Sequence, residues 1–187
     1  GGSEDQKHRY VSGSVTDDER YLVISATDST TGNFLYFKDL ESDTSPILTI
    51  LDDASSDAYV LDHYMDNLLI VTDYKSPNNR IVTASVESPT PEYWVDFVPE
   101  KDSVMTVSLG GNNIFVEYLE DALSVVSQFD YGGNLVRQVK LPGLGSVGAF
   151  SGKKEDKVLF YSFSNYSTPS SIYKFDVESG ESTLYEK

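Results

Sequence analysis

The chain has 187 residues, of which 39% are apolar, and its 14 basic and 30 acidic side chains give a net charge of −16. That charge excludes a phosphate-tracking surface, which needs clustered Lys and Arg, and it disfavours an anionic membrane. We therefore expect neither nucleic acid nor a membrane as a partner. The chain has no cysteine, which excludes a disulfide, a thiolate zinc site and a cysteine nucleophile.

The N-terminal residues offer no targeting information. The sequence begins Gly1-Gly2-Ser3, which is typical of a cloning remnant, so we expect residues 1–8 to be that remnant and a frayed terminus. No apolar run approaches the ~20 residues of a membrane-spanning helix. A cytoplasmic and a periplasmic location both agree with the composition, and the periplasm is favoured if the source is a Gram-negative bacterium.

Short apolar runs separated by polar turn residues predict strands along the whole chain. In chain order they span residues 10–15, 21–26, 34–40, 47–51, 58–64, 68–74, 80–86, 94–98, 104–109, 114–119, 123–129, 135–141, 146–151, 158–164, 172–177 and 182–186. No stretch shows sustained helical periodicity. The sequence therefore predicts an antiparallel all-β fold.

These strands repeat as four groups of four. The most apolar strand of each group starts at Tyr21, Leu68, Ile114 and Val158, that is, every 44 to 47 residues. A period of ~40–50 residues is typical of β-propeller blades. We expect four four-stranded antiparallel blades within residues 9–187, at about 9–53, 54–101, 102–142 and 143–187.

A β-sandwich is the alternative to the propeller. Its strands would alternate between polar and apolar residues, whereas Leu68-Leu69-Ile70-Val71 is continuously apolar, as a strand covered on both faces requires. Propellers contain ~4–8 blades. Four blades are therefore either a small closed ring or part of a larger one, and the composition does not decide between them.

Three segments have distinctive motifs: Thr16-Asp17-Asp18-Glu19-Arg20-Tyr21, the Ser76-Pro77-Asn78-Asn79-Arg80 core of residues 72–81, and Gly145–Lys153. These segments resemble the propeller of the prolyl oligopeptidase family (serine peptidase family S9). Shorter matches at Val98-Pro99-Glu100, Tyr118-Leu119 and Phe160–Phe163 follow in the same order. The resemblance covers about residues 9–187. It implies the last four blades of a seven-bladed propeller, whose parent chain also carries an α/β-hydrolase catalytic domain.

The resemblance also implies a function and a site. The parent would be a serine endopeptidase that cleaves short peptides after proline, with the propeller covering the active site and restricting substrate size. The partners would be the hydrolase domain of the same parent chain and short proline-containing peptides. By register with the family, the residues that border the substrate pocket are Tyr10, Thr27 and Thr30. The sequence departs from the family at residues 26–31, where a glutamate-glycine pair is usual.

The chain itself lacks the sequence signals of a catalytic centre. A serine hydrolase needs a G-x-S-x-G elbow and a histidine, but Leu144 stands where the first glycine before Ser146 belongs, and His8 and His63 are the two histidines. We expect both histidines to have a structural role, either at the surface or satisfied by a neighbour, with His8 in the frayed terminus and His63 at the end of an inner strand. We predict no catalytic residue, no cofactor and no metal site in this chain, which alone should be inactive.

Other polar segments have structural interpretations. The segment Asp52–Asp57 lacks the glycine and terminal glutamate of a calcium loop, so we expect a solvated connection between blades. Gly110-Gly111 and Gly132-Gly133 are expected at hairpin turns, and Trp94 in blade packing. Asn165-Tyr166-Ser167 fits a glycosylation acceptor triplet.

The second hypothesis belongs to another functional class. The chain could be a free-standing four-blade module for binding or scaffolding, with a homodimer that covers its exposed terminal blades. Large exposed apolar faces favour such association.

Overall fold

The computed structural model describes residues 10–187, so the expectations for residues 1–8 concern a part of the chain outside the described residues. The described chain divides after Glu100 into two compact units. Within the described residues, four four-stranded antiparallel sheets confirm the predicted all-β fold. Among these residues, no helix has the length and apolar character needed to cross a membrane.

The first unit contains two sheets, in each of which the strands follow one another in chain order. Its strands are β1 (Tyr10–Val15), β2 (Tyr21–Thr27), β3 (Phe34–Asp39), β4 (Ile47–Leu51), β5 (Ala58–Tyr64), β6 (Asn67–Thr72), β7 (Arg80–Ser85) and β8 (Val95–Val98). A short 3-10 turn, Pro91–Tyr93, precedes β8. Pro suits the first position of such a turn because its missing N–H would have no partner there.

The second unit also contains two sheets. Its strands are β9 (Met105–Gly110), β10 (Asn113–Glu120), β11 (Leu123–Asp130), β12 (Leu135–Gln138), β13 (Ser146–Val147), β14 (Val158–Ser164), β15 (Ser171–Asp176) and β16 (Ser182–Glu186). Gly111 closes the β9–β10 turn with a φ of +57°, a conformation that glycine adopts without a steric penalty.

The same irregularity recurs in all four sheets. In each one the register shifts once between the third and the fourth strand, at Leu35/Tyr36, Ile81/Val82, Gln128/Phe129 and Ile172/Tyr173. A β-bulge increases the local twist of a strand. The repeat therefore extends from the sequence pattern to the geometry of each outer strand.

Each unit has an apolar core between its two sheets. In the first unit, Tyr21, Phe37 and Ile50 of one sheet pack with Leu68 and Val82 of the other. Residues Leu68 to Val71 of β6 are all at most 3% exposed. Both faces of this strand are therefore buried, as the continuous apolar run predicts.

The predicted strand at 146–151 is interrupted in the structure. Val147 pairs with Phe163, and the next pairing is the isolated bridge between Ser151 and Phe160. One residue more lies between these pairs on the first segment than on β14, which defines a bulge. The Gly148 amide donates to the Ser162 carbonyl at 3.0 Å within the bulge.

Candidate functional site

The three residues that the family resemblance assigns to substrate binding lie at one end of the first sheet. Tyr10 at the start of β1 is directly opposite Thr27 at the end of β2 in the strand register. Thr30 lies in the loop between β2 and β3 and is exposed. The Tyr10 side chain is 77% exposed, so its ring is open to a ligand or to another domain.

Internal hydrogen bonds hold the β2–β3 loop in shape. The Thr27 hydroxyl lies 2.7 Å from the Ser29 carbonyl oxygen and 2.9 Å from that of Gly32. The Ser29 hydroxyl donates to the Thr31 carbonyl at 2.6 Å. Such side-chain contacts with nearby backbone are typical of Ser and Thr in turns. Thr27 therefore supports the loop through its hydroxyl, while Thr30 projects from it.

Asn33 ties this loop to the second sheet. Its Nδ2 donates to the Ala58 carbonyl at 2.8 Å, and its Oδ1 accepts the Ala58 amide at 2.8 Å. The Asn33 side chain therefore pairs with Ala58 as a neighbouring strand would, and the residue is only 9% exposed. Sequence reasoning missed Asn33, because its partner is 25 residues away.

The connection between β4 and β5 is anchored on the loops at either side. The Asp57 carboxylate accepts the Gly32 amide at 3.0 Å, and the Asp57 amide donates to the Asp73 carboxylate at 2.7 Å. The Thr72 hydroxyl donates to the Asp57 carbonyl at 2.7 Å. Asp57 and Asp73 thus accept backbone amides, and they join three loops into one surface at this end of the first unit.

Two replacements of Asn33 should distinguish the hydrogen bond that its side chain donates to the Ala58 carbonyl from the one that it accepts from the Ala58 amide. We expect Asn33→Ala to lower the free energy of unfolding by about 2–3 kcal/mol, because a buried N–H and C=O of Ala58 lose their partner. Asn33→Asp keeps the oxygen that accepts the Ala58 amide. Hydrogen exchange at Ala58 should accelerate in Asn33→Ala but stay slow in Asn33→Asp, and equal exchange rates in the two variants would contradict this assignment.

The loops at this end of the first unit carry several acidic side chains. Asp28 in the β2–β3 loop is exposed, and so are Asp52, Asp53 and Asp57 in the β4–β5 connection. Hydrogen bonds from the Ser55 side chain and backbone lower the pKa of Asp53. Within residues 10–187, no group of three or more His, Cys, Asp or Glu side chains is arranged to hold a metal ion. The negative charge of these exposed aspartates favours cationic over anionic ligands at this end of the first unit.

The Thr16–Tyr21 motif lies at the opposite end of the first unit, where it has a structural role. The Thr16 hydroxyl accepts the Tyr21 amide at 3.1 Å, which closes the β1–β2 turn. Arg20 forms ion pairs with Asp39 and Glu41, each at 2.8 Å. Charge-assisted bonds are stronger than neutral ones, so the ion pairs of Arg20 help to stabilise the β1–β2 turn. We therefore assign the motif a structural role and not a catalytic one.

His63 is satisfied by its neighbours, as predicted. Its Nε2 lies 2.6 Å from Asp18 Oδ2, and its Nδ1 lies 3.0 Å from the Met65 carbonyl. Its ring also meets Tyr21 edge-on at 4.9 Å. Partial burial alone would raise the pKa of Asp18, but hydrogen bonds with His63, the Arg20 amide and the Thr16 hydroxyl lower it to about 2.

Acid should weaken the first unit at this contact. Because the pKa of Asp18 falls from 3.8 to about 2 on folding, its stabilising contribution is complete above about pH 4 and is lost as the pH falls through about 2. The Asp18 side chain is half exposed, so we expect no more than about 1 kcal/mol.

The free energy of unfolding is measured in urea at about pH 5 and about pH 2, with the fluorescence of Trp94 as the probe of unfolding. Asp18→Asn should narrow the difference between the two free energies of unfolding. Asp17→Asn, which changes an exposed neighbour, should leave that difference as in the original chain. If the difference in Asp18→Asn were as large as in the original chain, this carboxylate would not make the expected contribution.

Ser146, the nearest match to a nucleophile, lies in the second unit. It pairs with Ser164 in the β13–β14 register and lines a cavity of about 280 Å³ together with Leu144, Asn165 and Tyr166. Tyr166 is fully exposed, so the acceptor triplet 165–167 is at the surface. No histidine lies among the residues that line this cavity.

Trp94 and the paired glycines have structural roles, which confirms the predictions. The Trp94 ring packs edge-on against Tyr74 at 5.6 Å, and its Nε1 donates to the Pro89 carbonyl at 2.8 Å. Gly110-Gly111 is at the β9–β10 turn, and Gly132-Gly133 is at the β11–β12 turn.

Four-stranded antiparallel meanders repeated at this period are those of a β-propeller domain. Residues 2–187 match the family described as "Prolyl oligopeptidase, N-terminal beta-propeller domain". The chain therefore belongs to the prolyl oligopeptidase family of serine peptidases, as a part of its propeller domain.

Known relatives agree with this membership. The chain is 44% identical to the prolyl endopeptidase of Elizabethkingia miricola, with 100% of this chain and 26% of that protein covered. It is 42% identical to the prolyl endopeptidase of Elizabethkingia meningoseptica, with the same coverage. The chain thus spans about a quarter of the length of these relatives.

Solved structures share the fold. A structure from a study of two prolyl endopeptidases superposes with a TM-score of 0.85 at 26% identity, over 98% of this chain and 27% of that one. Prolyl oligopeptidase B from Galerina marginata superposes with a TM-score of 0.84 at 15% identity, over 97% of this chain and 27% of that one. These superpositions favour the propeller over the sandwich.

Proposed function

We propose that this chain is part of the propeller of a prolyl endopeptidase, where it covers the active site of an α/β-hydrolase domain in the same polypeptide. The observation that carries the proposal is the 44% identity to a prolyl endopeptidase across the whole chain. In this arrangement the propeller admits short, flexible peptides and excludes bulky ones. A cover of this kind can also exclude water from the reaction and limit turnover by its opening.

The residues of this chain supply positioning and access rather than the chemical step. A serine peptidase needs a histidine that can take the proton of the nucleophile. Both ring nitrogens of His63 are already engaged, Nε2 with Asp18 and Nδ1 with the Met65 carbonyl, which leaves neither for a nucleophile. We therefore assign the nucleophile and its base to the hydrolase domain of the parent.

Tyr10, Thr27 and Thr30 would border the pocket for the substrate residues that precede proline. Tyr10 is strongly exposed and sits opposite Thr27. Its ring offers an apolar face to a peptide side chain and a hydroxyl to the peptide backbone. The bonded hydroxyl of Thr27 holds the loop that presents Thr30.

The proposal is tested by replacing the corresponding segment of the Elizabethkingia miricola enzyme with this chain. We expect the chimera to release the chromophore from a short Gly-Pro substrate. The 187-residue chain alone, purified away from host peptidases, should show no turnover. A folded chimera without post-proline activity, or turnover by the isolated chain, would overturn the proposal.

The same chimera tests the substrate-binding residues. Tyr10→Ala should raise KM for peptides extended upstream of proline more than it lowers kcat, because it removes a binding contact. Tyr93 is similarly exposed, at 60%, but lies at the other end of its sheet, between β7 and β8. Tyr93→Ala should leave both constants unchanged, and an equal effect of the two variants would remove Tyr10 from the site.

For the chain on its own, a homodimer through the exposed terminal blades stays a prediction. All six residues of β1 are exposed, including Val11 at 61% and Val15 at 51%. Light scattering over a range of concentrations tests it, and a monomer at every concentration would contradict it.

A further inference from the structure

The second unit contains a cavity that the proposed function does not use. Its volume is about 330 Å³, which is at the lower end of the range of small-molecule pockets. Thr106, Ser108, Phe115 and Glu117 line it from the third sheet, and Ala149 and Phe150 line it from the bulge that follows β13. Val107 and Val126 complete the lining, so five of its eight residues are apolar or aromatic.

Two serine hydroxyls hold the bulge in place beside this cavity. The Ser124 hydroxyl accepts the Val147 amide at 3.0 Å, and the Ser108 hydroxyl accepts the Phe150 amide at 3.1 Å. The small side chain of Ala149 lies between these two attachments and leaves the space unfilled. The cavity is thus built by specific contacts between the third sheet and the bulge.

Glu117 is the one ionisable side chain among the residues that line the cavity. Its Oε1 accepts the Ser124 hydroxyl at 3.0 Å, and no ion pair of Glu117 is found among residues 10–187. Burial raises the pKa of Glu117, and the Ser124 hydrogen bond opposes that rise. A half-buried carboxylate without a cationic partner is costly.

Aromatic rings form the other wall. Phe115 and Phe150 stack in parallel with their centres 4.4 Å apart. The stacked faces of these two rings cover each other, so the pair gives the cavity an apolar wall. A carboxylate beside an apolar wall is a combination that suits an organic cation, which carries both a charge and a hydrocarbon body.

We propose that this cavity binds a small organic ammonium ion, with its charge against Glu117 and its apolar body against Phe115 and Phe150. The hydroxyls of Thr106 and Ser108 offer further acceptors for the ammonium N–H groups. The chemistry fits a free amine, a lysine side chain or a peptide N-terminus alike. The inference does not depend on the proposed peptidase function.

The test uses benzylammonium as the probe and neutral benzyl alcohol as its isosteric control, titrated into the 187-residue chain by calorimetry near neutral pH. We expect benzylammonium to bind at least about tenfold more tightly than benzyl alcohol, because a hydrogen bond to a charged group contributes about 1.5–3 kcal/mol. Equal affinities, or no binding of benzylammonium, would overturn the proposal.

Variants locate the site. Glu117→Gln keeps the shape of the side chain and should weaken benzylammonium binding at least about tenfold. Glu120→Gln, on the same strand but exposed, should bind as the original chain does. An unchanged affinity in Glu117→Gln, in a variant whose amide NMR spectrum shows it to be folded, would contradict the site.

A measurement on the original chain removes any dependence on the variant's folding. Saturating benzylammonium should lower the pKa of Glu117, because the cation stabilises the ionised form. The pKa is measured from the NMR shift of the Glu117 carboxyl carbon as a function of pH. An unchanged pKa in the presence of bound benzylammonium would place the ligand elsewhere.

Discussion

Replacing Gly32 by alanine is expected to lower the free energy of unfolding of the first unit by at least about 2 kcal/mol. Gly32 has a φ of +78°, and a Cβ atom there would lie 1.7 Å from the carbonyl oxygen of Ala54. Left-handed backbone alone costs a non-glycine residue about 1–2 kcal/mol. The clash adds to this cost, because the contacted atom belongs to the backbone and cannot rotate away.

The fluorescence of Trp94 during urea unfolding reports this change, since Trp94 packs into the first core. Exchange of the Asn33 amide, which donates to the Ser56 carbonyl at 2.9 Å, should accelerate as the loop is displaced. Gly13→Ala is the matched control, because its Cβ would meet Leu22 at an ordinary 3.7 Å. Similar losses in the two variants would show that the close approach at Gly32 is unimportant.

Phe175→Ala is expected to destabilise the second unit by about 3–5 kcal/mol. Phe175 is fully buried, and its ring meets Phe115 edge-on at 5.6 Å and Phe150 at 5.3 Å. Removing the ring deletes both contacts and leaves a cavity beside Phe115 and Phe150. These two side chains could fill the cavity only by giving up their own stacking.

Circular dichroism during urea unfolding measures the effect. Phe175→Leu keeps most of the volume and should cost less than about 1.5 kcal/mol, while Leu135→Ala, at a 60% exposed position, should change stability little. A loss below about 1 kcal/mol in Phe175→Ala would contradict the assigned packing of this core.

The fold was largely predictable because each sheet repeats one burial pattern. A segment buried on both faces is apolar, so Leu68–Val71 of β6 and Ile114–Val116 of β10 are recognisable from composition alone. The ends of the strands were less predictable where a local hydrogen bond competes with strand pairing. The segment at 68–74 leaves the strand after Thr72, whose hydroxyl accepts the Tyr74 amide at 3.0 Å. Likewise, the bulge after Val147 depends on its contacts with Ser108 and Ser124.

The candidate site was only partly predictable. The resemblance to the family assigned Tyr10 and Thr27, and the register places them opposite each other. Gly32, Asn33 and Asp57 were missed, because their roles depend on partners at least 16 residues away in the chain. Glu117 was missed as well, since a single carboxylate in an apolar strand has no sequence signature until its cavity is seen.

The size of the substrate that the chimera accepts tests the covering role most directly. The Elizabethkingia miricola enzyme carrying this chain in place of its own segment is assayed with a short Gly-Pro peptide and with the same sequence inside a long unfolded polypeptide. We predict cleavage of the short peptide and none of the long one. Equal kcat/KM for the two substrates, in a folded and active chimera, would contradict the proposal that this part of the propeller restricts access to the active site.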